Sequence, residues 1–345
     1  MTVTAPEAPA AEASKADGTR LVDRVFKMRE LAILLVFLVM IGITQAGNSE
    51  FLSEQGIKDL LLNATILILV ATGQSLVVIT RNVDLSVGST LGISAFAAGV
   101  YLQGGGNPVV AVLLAVLLGI GFGLLNGLLV SLGQVPALVV TLGTLYIIRG
   151  IDSIWVGSRQ ITAADLPGGF VDFGSGGLSA VPWLAMIALV VLVATAYYLK
   201  QYGSGRELYA LGSNPEAARL AGIPVRKRIL VAYTFCGALA GLAGALYLAR
   251  FGNVDSSTGN GYELTVVSAV VVGGVVFTGG SGSVYGAALG ALLLTSINSV
   301  LPALGVSSVW VLAINGILLL LAIAVDRVVA LRVASALKKR NARHA

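Results

Sequence analysis

The stretch ILILVATGQSLVVITRNVDLSVGSTLGISAFAAGVYL, residues 66–102, decides the fold. Two apolar runs flank a short polar segment that contains Arg81, Asn82 and Asp84. An apolar run of about 18 or more residues with few charges predicts a membrane-spanning helix, because the hydrocarbon core of a bilayer is about 30 Å thick. The stretch therefore predicts two spans with a charged interruption between them.

The same pattern recurs along the whole chain of 345 residues, which is 56% hydrophobic and 11% charged, with a mean hydropathy of +0.90. A soluble protein can bury one such run in its core, but not one after another. We therefore predict an all-α, polytopic membrane protein with about ten transmembrane helices. The predicted spans are residues 31–46, 58–80, 85–102, 108–132, 136–156, 181–199, 229–249, 264–280, 284–302 and 308–326.

The distribution of Lys and Arg predicts the orientation of these spans. Basic residues concentrate before the first span, in the loop 200–228 and after the last span, and such clusters favour the cytoplasmic side. Residues 1–30 are then a disordered cytoplasmic tail, 31–326 the transmembrane domain, and 327–345 a basic cytoplasmic tail. Six spans before the loop and four after it fit this arrangement. The positive charge is thereby explained, and no nucleic-acid partner is predicted.

Several kinds of catalytic site are excluded by composition. Cys236 is the one cysteine and His344 the one histidine, which rules out an internal disulfide, a multi-cysteine metal site and a His-dependent triad. The glycine-rich run GGSGSVYG is not followed by the GK[ST] of a phosphate-binding loop. We predict no enzymatic activity, no cofactor and no metal.

Two stretches of the chain are similar at an offset of 198 residues, where VVITRNVDLSVGSTLG (77–92) aligns with VVFTGGSGSVYGAALG (275–290). Transporters are commonly built from repeats, with the substrate site near interrupted helices at the repeat interface. We therefore expect an internal repeat. The alignment leaves open whether the two copies are parallel or inverted.

A short helix with defined ends is predicted within the loop 200–228. Asn214 is a good N-cap, Glu216 suits the positive end of the helix dipole, and Gly222 can end the helix. Ala217 and Ala218 keep its surface small. On physical grounds this helix is either a solvated connector or a docking site for a cytoplasmic partner.

The run Glu216-Ala-Ala-x-x-x-Gly222 resembles the EAA-type coupling motif of permease subunits in ABC importers. The wider phrase GRELYALGSNPEAARLAGIPV is similar to the monosaccharide branch that serves ribose, xylose and related sugars. Three further stretches agree in the family's order: TRNVDLSVGSTLG, VPALVVTLGTLYIIRGI and TGGSGSVYGAALGALLL. The resemblance extends over most of residues 60–325.

This resemblance implies the partners and the location of the protein. A cytoplasmic ATP-binding subunit would hydrolyse ATP, an extracytoplasmic sugar-binding protein would deliver the substrate, and a second permease copy or paralogue would complete the complex in the inner membrane of a bacterium. The residues expected to couple to the ATPase are Asn214, Glu216, Ala217, Ala218 and Gly222.

The sequence departs from the family's usual Gly-Gly-Ile-Asp-Leu-Ser at residues 81–86, which read Arg-Asn-Val-Asp-Leu-Ser. An Arg-Asn version is similar to permeases for rhamnose-type deoxysugars and for the furanosyl signalling molecule autoinducer 2. The departure therefore disfavours ribose as the substrate.

Polar residues within the spans are candidates for the translocation path, because charge and hydrogen-bonding groups are costly inside a membrane. The candidates are Gln74, Arg81, Asn82, Asp84 and Ser86. In an alternative interpretation, Arg81 and Asp84 pair with each other at a helix end. An ion-coupled secondary transporter is the alternative class, and in it Asp84 would carry the proton or ion.

Other intramembrane polar residues favour a structural role. Asn63 and Asn126, like Gln74, can hydrogen-bond a sugar hydroxyl or, as is commoner, tie neighbouring helices together. Arg149 and Asp152 are three residues apart near the outer end of the fifth span, where we expect a salt bridge.

Overall fold

The computed structural model describes Leu31, residues 33–303 and scattered residues between 307 and 324. The predicted tails, 1–30 and 327–345, and most of the predicted tenth span lie outside the described residues. The apolar helices are α1 (Ile33–Gly47), α2 (Glu54–Ile79), α3 (Val87–Gln103), α4 (Pro108–Ser131), α5 (Ala137–Val156), α7 (Trp183–Gln201), α10 (Val225–Phe251), α11 (Tyr262–Val272) and α12 (Val284–Ala303).

Shorter elements connect these helices. Between α5 and α7 lie α6 (Gly168–Ser175) and a two-stranded antiparallel ribbon, β1 (Gly177–Leu178) with β2 (Val181–Pro182). Between α7 and α10 lie α8 (Gly203–Ser213) and α9 (Pro215–Leu220). The protein is thus an all-α, polytopic membrane protein in the part of the chain that the structure describes.

Nine of the ten predicted spans coincide with apolar helices among the described residues, and six of these helices are long and apolar enough to cross a membrane. The predicted span 264–280 is wrong in its second half. Its helix, α11, ends at Val272, and residues 273–283 are irregular. The glycines at 273, 274, 279 and 280 explain the error, because glycine counts as neutral in hydropathy but readily ends a helix.

Helix α2 lies at the centre of the bundle. In its most apolar 18-residue stretch 89% of the residues are buried, whereas the corresponding stretches of α4 and α5 are 22% and 28% buried. It packs against α7, α10, α11 and α12. Helices α4, α5 and α7 are peripheral, and they expose large apolar side chains to the surroundings.

Glycines allow α4 and α10 to approach at backbone distance. A Cβ atom at Gly119 would overlap the carbonyl oxygen of Gly237, and a Cβ at Gly237 would overlap that of Gly119. Gly241 meets the carbonyl of Ala115 in the same way. Small residues at such contacts are typical of membrane helices, where close van der Waals packing drives association.

The helical bundle has two ends, which differ in their contacts. At one end, Arg250 pairs with Asp59 (Nη2–Oδ1 2.9 Å), and Ile161 forms a β-bridge with Val254. At the other end, α2 finishes beside α8, and Gly280 donates its backbone N–H to the carbonyl of Ile79 at 2.9 Å. Following the positive-inside expectation, we refer to these as the outer and inner ends.

Two helix pairs are interrupted in the same way. The first break, residues 80–86, separates α2 from α3, and the second break, residues 273–283, separates α11 from α12. The offset of 198 aligns residues 80–86 with 278–284, so the two similar stretches of sequence contain the two breaks. Both breaks lie at the inner end, as expected for a repeat whose two copies are parallel.

We predict that Gly119→Leu destabilises the protein by about 1–3 kcal/mol, because the added side chain cannot fit against the backbone of α10. The matched control is Gly121→Leu in the same helix, since a Cβ at Gly121 meets nothing within 4 Å. Thermal unfolding in detergent should distinguish the two variants. Equal melting temperatures would contradict the close packing of α4 on α10.

Candidate functional site

The first break turns back into the bundle alongside α2. The chain reverses at Arg81, which has the left-handed backbone angle φ 67°. Asp84 then lies beside Gln74, five residues before the end of α2 and so about 7.5 Å from it along the helix axis. Helix α3 consequently begins inside the bundle, so that the first break places irregular backbone at membrane depth.

The carboxylate of Asp84 is the centre of a buried polar cluster. Its Oδ1 accepts hydrogen bonds from the backbone N–H of Ser86 at 2.9 Å and from Ser86 Oγ at 2.7 Å. Asn126 of α4 donates from Nδ2 to Ser86 Oγ at 2.8 Å and, more weakly, to Asp84 Oδ1 at 3.4 Å. All three residues are buried, so the cluster ties α4 to the first break.

Side chains also satisfy the backbone of the first break. With its amide oriented to suit both groups, Gln74 donates from Nε2 to the Asp84 carbonyl at 3.2 Å and accepts at Oε1 from the Asp84 N–H at 3.1 Å. The carbonyl of Val83 accepts from Tyr233 Oη at 3.1 Å and from Thr141 Oγ1 at 3.3 Å. Helices α2, α5 and α10 thus replace the hydrogen bonds that a continuous helix would have made.

Arg81 and Asn82 belong to different networks from Asp84. The guanidinium of Arg81 donates to the carbonyls of Gly212 and Ser213 at the end of α8. Asn82 donates to the backbone and hydroxyl oxygens of Thr80. The alternative interpretation, in which Arg81 pairs with Asp84, is therefore wrong: Arg81 contacts the segment that precedes α9.

Helix α9 has the predicted ends. The side chain of Asn214 accepts from the N–H of Ala217 at 3.1 Å, and Gly222 has the left-handed angle φ 79°. Glu216 forms an ion pair with Arg219 at 3.0 Å. Ala217 is exposed and Leu220 is 85% exposed, whereas Ala218 is buried against the rest of the chain. The small surface open to a partner thus includes Ala217 and Leu220 but not Ala218.

Arg149 links α5 to the loop between α10 and α11. Its Nη1 lies 3.8 Å from Asp152 Oδ2, as the spacing predicts, and donates to the carbonyl of Thr258 at 2.7 Å. The segment around Thr258 packs on α3, where a Cβ at Gly92 would overlap the Thr258 carbonyl. The pair is more buried than an interfacial salt bridge, because the side chain of Asp152 is fully covered.

Of the five predicted path residues, the structure brings together Gln74, Asp84 and Ser86. Asn126, which the sequence suggested as a link between helices or as a partner for a sugar hydroxyl, joins them. Tyr233 was missed, although a tyrosine within an apolar span is a signal for a buried hydroxyl that needs a partner.

Comparison with known proteins agrees with this architecture. The family described as "Branched-chain amino acid transport system / permease component" matches residues 56–323. The chain belongs to this permease family. It is therefore a transport component and a multi-pass membrane protein.

Several curated relatives match most of the chain, each with the name "Autoinducer 2 import system permease protein LsrC". The protein from Enterobacter sp. (strain 638) is 38% identical over 302 residues, which are 88% of this chain and 88% of the relative. The proteins from Salmonella typhi and Escherichia coli O157:H7 are 38% and 37% identical, over 85% and 86% of this chain and 84% and 86% of their own lengths. No solved structure matches the chain.

We predict that Asp84→Asn lowers uptake while leaving the amount of protein in the membrane normal. The amide keeps the shape of the carboxylate but loses the charge that strengthens the bonds from Ser86 and Asn126. The measurement is transport at matched expression in proteoliposomes or cells. The control is the same substitution at Asp172, which is exposed in α6. Normal uptake by Asp84→Asn would show that the cluster has no role in transport.

Proposed function

We propose that the chain is the permease subunit of an ATP-driven ABC importer and that it carries a small sugar across the inner membrane of a bacterium. The supporting observation is α9, a six-residue capped helix that carries the EAA-type sequence, exposes Glu216 and Ala217, and lies at the same end as both breaks. The permease does no bond chemistry in this scheme. A separate cytoplasmic ATPase binds α9, and ATP-driven closure moves the helices between outward- and inward-open arrangements.

The preferred cargo is a furanosyl signalling sugar of the autoinducer 2 type. Two observations favour it over ribose: the names of the relatives, and the Arg-Asn sequence of the first break. A rhamnose-type deoxysugar or another monosaccharide is the alternative within the same class. The path would run past the buried cluster of Gln74, Asp84 and Ser86, whose polar groups lie where the bundle is interrupted.

Two further partners complete the proposed complex. A sugar-binding protein docks at the outer end, on the segment 157–182 between α5 and α7. A second permease copy or paralogue, together with lipid, covers the exposed apolar faces of α4, α5 and α7. Both termini are placed in the cytoplasm because the basic residues flank them and also occur in the loop 200–228.

The ion-coupled alternative depends on Asp84 releasing and binding a proton during transport. Oδ1 of Asp84 accepts from two donors on Ser86 and a weaker one on Asn126, so that the carboxylate already has a structural role in tying α4 to the first break. Membership in a family of permease components, which work with separate partners, also favours the ATP-driven mechanism.

We predict that Gly222→Val abolishes co-purification of the proposed partner ATPase, together with ATP hydrolysis stimulated by the loaded binding protein. Valine is strained at φ 79°, although nothing lies within 4 Å of its Cβ position. Gly222→Asn is the matched control, because asparagine tolerates the left-handed conformation and should retain both properties. If Gly222→Val also retains them, α9 is only a connector.

We predict that proteoliposomes containing the permease, the ATPase and the binding protein accumulate autoinducer 2 when ATP is supplied. D-Ribose and L-rhamnose, offered separately, should be taken up more slowly. Calorimetry of each sugar with the binding protein supports the ranking independently. Uptake driven by a proton gradient without ATP would instead support the ion-coupled class.

A further inference from the structure

The last turn of α8 occupies a position that no sequence motif indicates. Gly212 lies between the end of α2 and the second break, where a Cβ atom would overlap both the carbonyl oxygen of Ile79 and the N–H of Gly280. The last carbonyls of a helix have no partner within the helix. Here, those of Gly212 and Ser213 accept from the guanidinium of Arg81 in the first break.

The second break is held at the same point. Gly280 donates its N–H to the Ile79 carbonyl at 2.9 Å, and Tyr209 of α8 donates from Oη to the Gly282 carbonyl at 3.1 Å. Gly279, at φ 78°, lies so close to Arg81 that a Cβ would overlap Arg81 Cγ. The end of α8 therefore contacts both breaks.

Helix α8 is also rigidly connected to α9. Asn214 alone separates them, and its side chain caps α9 while its backbone N–H donates to Ala210 of α8 at 3.1 Å. Farther back, Glu207 of α8 pairs with Arg228 of α10 at 2.5 Å. A displacement of α9 must therefore move Gly212 and Ser213, or break the contacts that Arg81 makes with them.

We propose that the joint of Arg81 with Gly212 and Ser213 transmits the movement of α9 to both breaks, so that α8 acts as the lever between the ATPase and the translocation path. The proposal rests on the proposed coupling role of α9. Arg81 is then a positioning residue for transport and does not contact the cargo.

The test uses Arg81→Met, which keeps a long side chain but removes the donors. Its matched control is Arg206→Met. Arg206 lies on α8 and, like Arg81, donates to backbone carbonyls, but these are the carbonyls of Lys200 and Gln201, away from both breaks. Gly212→Ala tests the same joint in a different way, because the added Cβ would overlap the carbonyl oxygen of Ile79 while the donors of Arg81 remain. All variants are studied in the assembled complex with its ATPase.

The primary measurement is the distance between spin labels on cysteines placed at Phe277, which is 41% exposed in the second break, and at Asp172 at the outer end, with and without ATP. The native Cys236 is buried and is not expected to label. We expect an ATP-dependent change of distance in the background protein and in Arg206→Met. In Arg81→Met and Gly212→Ala this change should be largely lost.

ATPase co-purification should be normal in Arg81→Met, while ATP-driven uptake of autoinducer 2 falls by about tenfold or more, the size expected when coupling between two sites is lost. An unchanged distance shift in a folded Arg81→Met complex would overturn the proposal. So would loss of ATPase binding in this variant, because the joint would then form the docking site instead of transmitting its movement. The docking role of α9 is tested separately by the Gly222 variants, so that a failure of this proposal can be distinguished from a failure of the proposed function.

Discussion

The backbone of an interrupted helix cannot be left without hydrogen-bond partners in a membrane, where no water replaces them. This constraint explains the positions of most polar side chains in the bundle. Residues 83–85 run through the interior without helical hydrogen bonds. Gln74 satisfies the N–H and carbonyl of Asp84, while Tyr233 and Thr141 donate to the carbonyl of Val83. The polar cluster around Asp84 therefore makes the interruption possible, whatever else it does.

The interruption in turn organises the inner end. Because the chain must reverse beyond α2, Arg81 projects toward the end of α8. The second break also lies at the inner end and contacts the same end of α8. The end of α8 fits between them only because Gly212, Gly279 and Gly280 have no side chains. The proposed route for the cargo and the proposed site for the ATPase are thus separated by a few residues that are hydrogen-bonded to one another.

The sequence predicts the fold class and nine of the helices, because long apolar runs have few alternatives in a bilayer. It also predicts both ends of α9, since the signals of Asn214 and Gly222 are local. It fails at the second break, where apolar valines surround the glycines and hydropathy hides the end of α11. The partners of Arg81 lie about 130 residues away along the chain, and only the three-dimensional packing of α8 identifies them.

The two breaks are held by different means, although they occupy equivalent places in the repeat. Side chains anchor the first: Asp84, Ser86 and Asn126 lock it into one arrangement. The second is rich in glycine, with left-handed angles at Gly274, Gly279 and Gly280, and backbone groups make several of its contacts. Glycine-rich segments have access to more backbone conformations than other segments. The first break is therefore the stiffer of the two and the second the more pliant, so we expect an opening motion to bend the second while the first keeps its shape.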